Sequence, residues 1–309
     1  MTRILFSLAV LAVALCATAR ASTNEELNIP IEVTSSGHLV VDLTLNDGKP
    51  LPAIFDTGAT FAMVGGQTAS RIGLIEDENG RLVDIVGLGV KGTYPVVDMG
   101  PVRFGGADGV PLQAALNRDF SLQPTDTVLP AGFLPHRTLD FDFEKQSLSA
   151  YDSSPRRVHR STTSKLPVTW IKGLPFINVE VNGRPGLALV DTGASTTFIN
   201  SAFASRAARA DKDFSLIEVT SSTGVVTPLR ILSGRKFIFG DFKMRRFEVI
   251  VIDPSFLETV GLQDQPIMVM GLDVLQRFRL QLDREGNWLH LSKPDRRAGG
   301  MPTLIFDYN

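Results

Sequence analysis

Laid against itself at an offset of 135 residues, Pro50–Arg71 matches Pro185–Arg206 at nine of 22 positions, where ordinary residue frequencies would give about one or two. The shared residues are Pro50, Ala53, Asp56, Thr57, Gly58, Ala59, Ala69, Ser70 and Arg71, answered by Pro185, Ala188, Asp191, Thr192, Gly193, Ala194, Ala204, Ser205 and Arg206. Each copy is entered the same way. Leu39–Leu45 alternates apolar and polar, turns at Asn46-Asp47-Gly48 and returns through Leu51–Phe55; Phe176–Val181 turns at Asn182-Gly183 and returns through Leu187–Val190. Both predict a β-hairpin leading into an aspartate. The match resumes at Val102–Gly105 against Phe237–Gly240, and each copy closes on a strand-like run, Leu139–Glu144 and Leu280–Glu285. A chain of this kind is constrained to an all-β fold of two homologous lobes, here 27–152 and 165–293, related by a pseudo-twofold.

The rest of the chain is arranged around that duplication. Residues 153–164, Ser/Thr-rich and carrying Arg156, Arg157 and Arg160, read as a solvated linker. Short helices are expected at Gln67–Ile72, Ser201–Ala210 and Val274–Phe278. Residues 294–309 form a tail in which Thr303–Tyr308 is a strand candidate for a sheet bridging the lobes. At the other end, Arg3 precedes an apolar run from Ile4 to Ala17 broken only by Ser7, and the stretch ends in Ala19-Arg20-Ala21. Residues 1–21 therefore read as a secretory signal peptide, too short for a comfortable membrane span. The expected location is periplasmic or secreted, with an uncleaved membrane anchor as the lesser alternative. Cys16, the single cysteine, leaves with the signal, so stability must come from the core and not from disulfides.

Composition removes several classes of function. Thirty-one Lys and Arg against 33 Asp and Glu leave no basic excess for phosphates, so no nucleic-acid partner is expected. His38, His136, His159 and His290 are scattered without an HExxH or Cys/His spacing, so neither a metal nor any other cofactor is expected. No GxSxG elbow is present. What remains is a pair of carboxylates at equivalent points of a duplicated unit, Asp56-Thr57-Gly58-Ala59 and Asp191-Thr192-Gly193-Ala194. One Asp-Thr-Gly is an ordinary turn. Two, brought face to face by a twofold, have a definite chemistry. Carboxyls about 3 Å apart cannot both ionise and share a proton. The ionised member takes a proton from water while the protonated one hydrogen-bonds the carbonyl under attack.

These motifs resemble the aspartic proteases of the pepsin and retropepsin clan, over nearly all of the chain beyond the signal. In that clan each lobe contributes an Asp-Thr/Ser-Gly loop followed later by two apolar residues and a glycine. Val269-Met270-Gly271 matches the second element; Leu129-Pro130-Ala131-Gly132 matches it imperfectly. The resemblance implies that Asp56 and Asp191 are catalytic, that Thr57 and Thr192 lock the loops together, and that Gly58 and Gly193 let backbone approach the dyad. It places a substrate-binding flap at Gly87, Leu88 and Gly89, and a second flap or an ordinary turn at Ser221–Gly224. A polypeptide substrate, endopeptidase activity and an active monomer are expected; the alternative is an inactive peptide-binding or scaffold protein of the same fold. Ala59 and Ala194 place no hydroxyl beside the carboxylates, which predicts an optimum less acidic than that of gastric enzymes.

Three weaker signals remain. Gly87–Gly92 satisfies GxGxxG, but the residues after it read as strand and not as a phosphate-binding helix. Thr60 and Ser195 are expected to hydrogen-bond backbone within their loops. Trp170 and Trp288 read as core or interface aromatics in preference to groove residues.

Overall fold

The computed structural model describes residues 10–12, 26–74, 76, 80–87, 91–104, 109–120, 125–220, 226–294 and 303–305. The predicted hairpins are present. Leu39–Leu45 pairs antiparallel with Pro50–Asp56, and Leu174–Val181 with Arg184–Val190. The second hairpin turns on Asn182 and Gly183, both at positive φ, 52° and 82°; the favoured two-residue turn requires this, and Asn-Gly adopts it at least cost.

Each lobe then repeats one topology. The strand entering the aspartate lies parallel to a later short strand: Pro50–Asp56 beside Thr127–Pro130, and Arg184–Val190 beside Ile267–Met270. The strand leaving the loop is held between that short strand and a second, parallel neighbour. Ala62–Gly65 pairs with Thr127–Pro130 and Val110–Asn117; Phe198–Ile199 pairs with Ile267–Met270 and Phe242–Val251. Both faces of the central strands are covered, so Ala62–Gly65 and Ile267–Met270 are apolar throughout and all four residues of Ala62–Gly65, Thr127–Pro130 and Ile267–Met270 are buried.

A short helix follows each loop, α1 at Gly66–Ile72 and α2 at Ser201–Ala207. The lobes cap them differently. Asn200 caps α2 itself: its Oδ1 accepts the Phe203 N–H at 2.9 Å and the Ile267 N–H at 3.0 Å. The equivalent of Asn200 in the first lobe is Gly65, which has no side chain, and there Asp126 reaches across instead. Its Oδ2 accepts the N–H groups of Gln67 and Thr68, and its Oδ1 the Thr68 hydroxyl. Since Asn200 serves a helix end and a buried strand N–H together, Asn200→Ala should cost about 2 kcal/mol, read as a lower urea midpoint at unchanged slope.

The lobes meet in one six-stranded antiparallel sheet. Its order is Leu27–Val33, Ser147–Tyr151, Thr138–Asp142, Arg279–Asp283, Trp288–Pro294, Ser161–Ile171. Three strands come from each half, and the pseudo-twofold passes between Thr138–Asp142 and Arg279–Asp283. Charge pairs cross at that line. Arg279 holds Asp140 bidentately, at 2.8 and 2.7 Å, and Arg137 holds Asp283 at 2.9 and 3.1 Å. Asp140 also accepts from Gln281 Nε2 and from the Tyr151 hydroxyl. Burial, with Asp140 beside it, pushes the Tyr151 hydroxyl up to about 12. A large apolar cluster runs through both lobes, and a satellite cluster lies behind each aspartate loop, with Ala59 in one and Ala194 in the other.

Two expectations are corrected. Ser161–Ser164 are strand, paired with Leu291–Pro294, so the linker region is partly built into the interlobe sheet. Its Arg156 pairs with Glu26 and lies over Tyr151, while Lys165 lies over Trp288. The terminal strand Thr303–Ile305 does not join the interlobe sheet; it runs parallel beside Lys243–Arg245 of the second lobe. A helix at Phe256–Val260 was not expected from the sequence. The predicted signal segment lies outside the described residues except Val10–Ala12, and Ser221–Gly224 lies wholly outside them.

Candidate active site

Asp56 is the last residue of its strand and Asp191 the first after its own, and both are completely buried. Each loop folds back on its aspartate: the Gly58 N–H donates to Asp56 Oδ1 at 2.6 Å, and those of Gly193 and Ala194 to Asp191 Oδ1 at 2.8 and 3.0 Å. Each carboxyl lies against the glycine of the opposite loop, so the two face one another in one buried site. Burial raises the Asp191 carboxyl above the usual range, against the lowering effect of Asp56 and of the Ala194 and Gly193 N–H groups. A desolvated, closely facing pair retains a proton where isolated carboxylates would have lost it.

The threonines tie the loops together reciprocally. Thr57 Oγ1 donates to Val190 O at 2.7 Å and accepts the Thr192 N–H at 2.9 Å; Thr192 Oγ1 donates to Phe55 O at 2.7 Å and accepts the Thr57 N–H at 3.1 Å. Three buried groups of each loop, the threonine N–H and hydroxyl and one carbonyl, thus find these partners in the other lobe. The glycines are fixed by space: a Cβ on Gly58 would sit 2.6 Å from Asp191 Cγ, and one on Gly193 would collide with the Asp56 carboxyl.

The strand register corrects one sequence assignment. Phe55 pairs with Leu129 and Val190 with Met270, so Val128-Leu129-Pro130 is the counterpart of Val269-Met270-Gly271. Pro130, not Gly132, takes the place of Gly271. In the second lobe the Gly271 N–H donates to Thr197 Oγ1 at 3.0 Å, and Thr197 Oγ1 donates to the half-buried Asp273 at 2.6 Å. Proline has no N–H to give. The first lobe instead has Arg284 of the other lobe, whose guanidinium donates to the carbonyls of Ala131, Leu134 and His136. Burial without a carboxylate partner draws Arg284 down to about 10.

Gly87 ends the strand Leu82–Gly87, which forms a hairpin with Lys91–Arg103; Leu88 and Gly89 lie outside the described residues. The strand after the glycine-rich turn removes the dinucleotide reading. The hairpin reaches the second lobe: Val86 packs against its satellite cluster, and Ser255 Oγ donates to Gly87 O at 3.3 Å. Tyr94 is a strand residue opposite Val83.

Beside the Asp56 loop is a cavity of about 500 Å³ bounded by Thr57, Ala59 and Thr60 from one lobe and Trp170, Lys172 and Arg284 from the other. Thr60 Oγ1 is buried there without a hydrogen-bond partner, contrary to the expected bond to loop backbone, and so is Trp170 Nε1. Trp170 therefore borders a cavity at the candidate site, whereas Trp288 lies in the interlobe sheet. Sequence reasoning missed Lys172 and Arg284, which sit in turns no motif marks. Among the described residues no group of three or more His, Cys, Asp or Glu is placed to hold a metal.

Two similar β lobes, closed over a shared pair of buried aspartates, define a bilobal carboxylate-dyad protein. The family model described as aspartyl protease matches the chain twice, at residues 41–132 and 177–274, once in each lobe. The chain belongs to the aspartyl protease family. No curated protein sequence matches it.

Proposed function

We propose that the protein is an aspartic endopeptidase in which Asp56 and Asp191 activate a water between them for direct attack on a peptide carbonyl. The observation carrying this reading is the buried pair of facing carboxyls inside a complete threonine lock. A scaffold has no need of two desolvated carboxylates, whose burial costs free energy unless used. The carboxyl that keeps the proton hydrogen-bonds the substrate carbonyl, and the ionised one receives the proton from water. No covalent intermediate is required.

The substrate is an extended polypeptide, bound by strand addition to the hairpin above the dyad. The outer edge of Leu82–Gly87 accepts a strand in this way: Val10–Ala12 of the chain itself lies antiparallel on it, with Val10 opposite Gly87 and Ala12 opposite Ile85. Both aspartate loops lie in one chain, so the active species is a monomer, and the N-terminal segment directs it to the periplasm or the medium.

The test is incubation of a denatured protein substrate with the chain across pH 3–7, with Asp56→Asn in parallel. Cleavage that survives the substitution would sink the mechanism. Because burial holds Asp191 high and neither Ala59 nor Ala194 offers a hydroxyl to lower it, the pH–rate profile should peak above the gastric range. A maximum near pH 2 would contradict this.

A further inference from the structure

A dyad related by a twofold does not distinguish the two directions in which a peptide can cross it. Direction must come from whatever breaks the symmetry nearby. Around these loops the break is pronounced. The turn at Lys172-Gly173 approaches Thr60, and its counterpart at Ser36-Gly37 approaches Ser195, where a Cβ on either glycine would lie 3.8 and 3.0 Å from those side chains. In the repeat, Ser36 answers Lys172 and Thr34 answers Trp170. On the Ser195 side the polar groups satisfy one another: Thr34 Oγ1 to Ser36 Oγ at 2.9 Å, and Ser36 Oγ to His38 Nδ1 at 2.8 Å, with burial lowering the tendency of His38 to take a proton. That end is neutral and internally complete.

The Thr60 side is neither. Its cavity of about 500 Å³ is bordered by two cations, Lys172 and Arg284, and by no acidic residue. Two polar atoms of its lining residues, Trp170 Nε1 and Thr60 Oγ1, are buried with no hydrogen-bond partner, a costly arrangement that an acceptor reaching them would relieve. An indole nitrogen can only donate, and a hydroxyl can donate as well. Lys172 Nζ spends one donor on Thr259 O at 2.8 Å, which leaves two. Arg284 is already engaged with three carbonyls and supplies field rather than contacts. Donors and positive charge without a counter-charge match a carboxylate.

We propose that this interlobe cavity binds an acidic side chain of the substrate through Lys172, Trp170 Nε1 and Thr60 Oγ1, and so fixes the direction of the peptide across the dyad. The inference rests on the endopeptidase reading and names its specificity. Lys172 is the residue that sets the preference; Trp170 and Thr60 position the carboxylate.

The experiment uses N-acetylated, C-amidated peptides, so that the side chain is their only carboxylate, with Glu or Gln scanned outward on both sides of the scissile bond. Glu should exceed Gln at least tenfold in kcat/KM at positions on one side only, through KM with kcat little changed. Lys172→Met should abolish the preference, Lys172→Arg should retain it, and Lys172→Glu should favour Lys over Glu. Discrimination confined to one side but indifferent to Lys172, or no discrimination, overturns the proposal. Calorimetric binding of the same peptides to Asp56→Asn separates the two readings. Glu-selective binding lost in Asp56→Asn/Lys172→Met, from a chain whose parent cleaves nothing, would uphold the cavity and overturn the protease. Cleavage without Glu-selective binding would do the reverse.

Discussion

Replacing Asp191 with asparagine should cut peptide hydrolysis by at least about 10³-fold and, at neutral pH, raise the melting temperature. The two effects have one cause. Asn keeps an oxygen where the Gly193 and Ala194 N–H groups donate, and its amide can hydrogen-bond Asp56, so the loop is not disturbed. What it loses is the ability to exchange a proton and to carry a charge. Burial raises the Asp191 carboxyl in the folded protein. The folded state therefore holds a proton that the unfolded chain releases, and stability present below the unfolded value of about 3.9 is lost as pH rises through the folded one. The asparagine variant has no such loss. Melting curves of both proteins from pH 3 to 8 should converge at the acid end and separate as pH rises, with the variant higher. A variant less stable than its parent at pH 7 would show that the carboxyl is not held high.

The second large effect lies in the interlobe sheet. Arg279→Ala removes the counterion from Asp140, which is 1% exposed, while Arg279 itself is 26% exposed. Gln281 and Tyr151 still hydrogen-bond the carboxylate, but neither neutralises it. Breaking a buried pair by deleting one member costs about 3–5 kcal/mol; the partial exposure of Arg279 places this case near about 3 kcal/mol. At about 2.1 cal/mol/K per residue, over a chain of 309 residues, that is a fall of about 5 °C in melting temperature. Arg279→Lys, which keeps charge but not the two-pronged contact, should fall between. The double variant Asp140→Leu/Arg279→Met should recover most of the loss, since apolar replacement of both partners leaves nothing buried and unpaired. Equal damage from the single and double variants would mean that packing of the arginine stem, and not the charge, holds the line between the lobes.

The repeat made the architecture legible because both halves kept the same letters wherever backbone must approach backbone: Asp56 to Ala59 and Asp191 to Ala194. The hairpins were legible through alternation and Asn-Gly chemistry. Pro130 was not, because a search for a glycine after two apolar residues settles on Gly132, whereas the register of parallel strands is set by pairing with Phe55. Trp170 looked like any strand aromatic; what sets it apart is a neighbour in the other lobe. The interlobe sheet was equally hidden, since Thr138–Asp142 and Arg279–Asp283 pair across nearly half of the chain and leave no periodic trace.

The reciprocal threonine lock bears on when the molecule becomes dangerous. Thr57 finds its partners only on Val190 and Thr192, so the first half alone cannot assemble the site. During synthesis Asp56 precedes Asp191 by 135 residues, a delay on the order of ten seconds at about 5–20 residues per second. Through that interval the emerging chain carries half a dyad and no hydrolytic power. On the proposed endopeptidase reading, the duplication thus acts as a timer, withholding catalysis from the nascent chain at least until synthesis has passed Asp191.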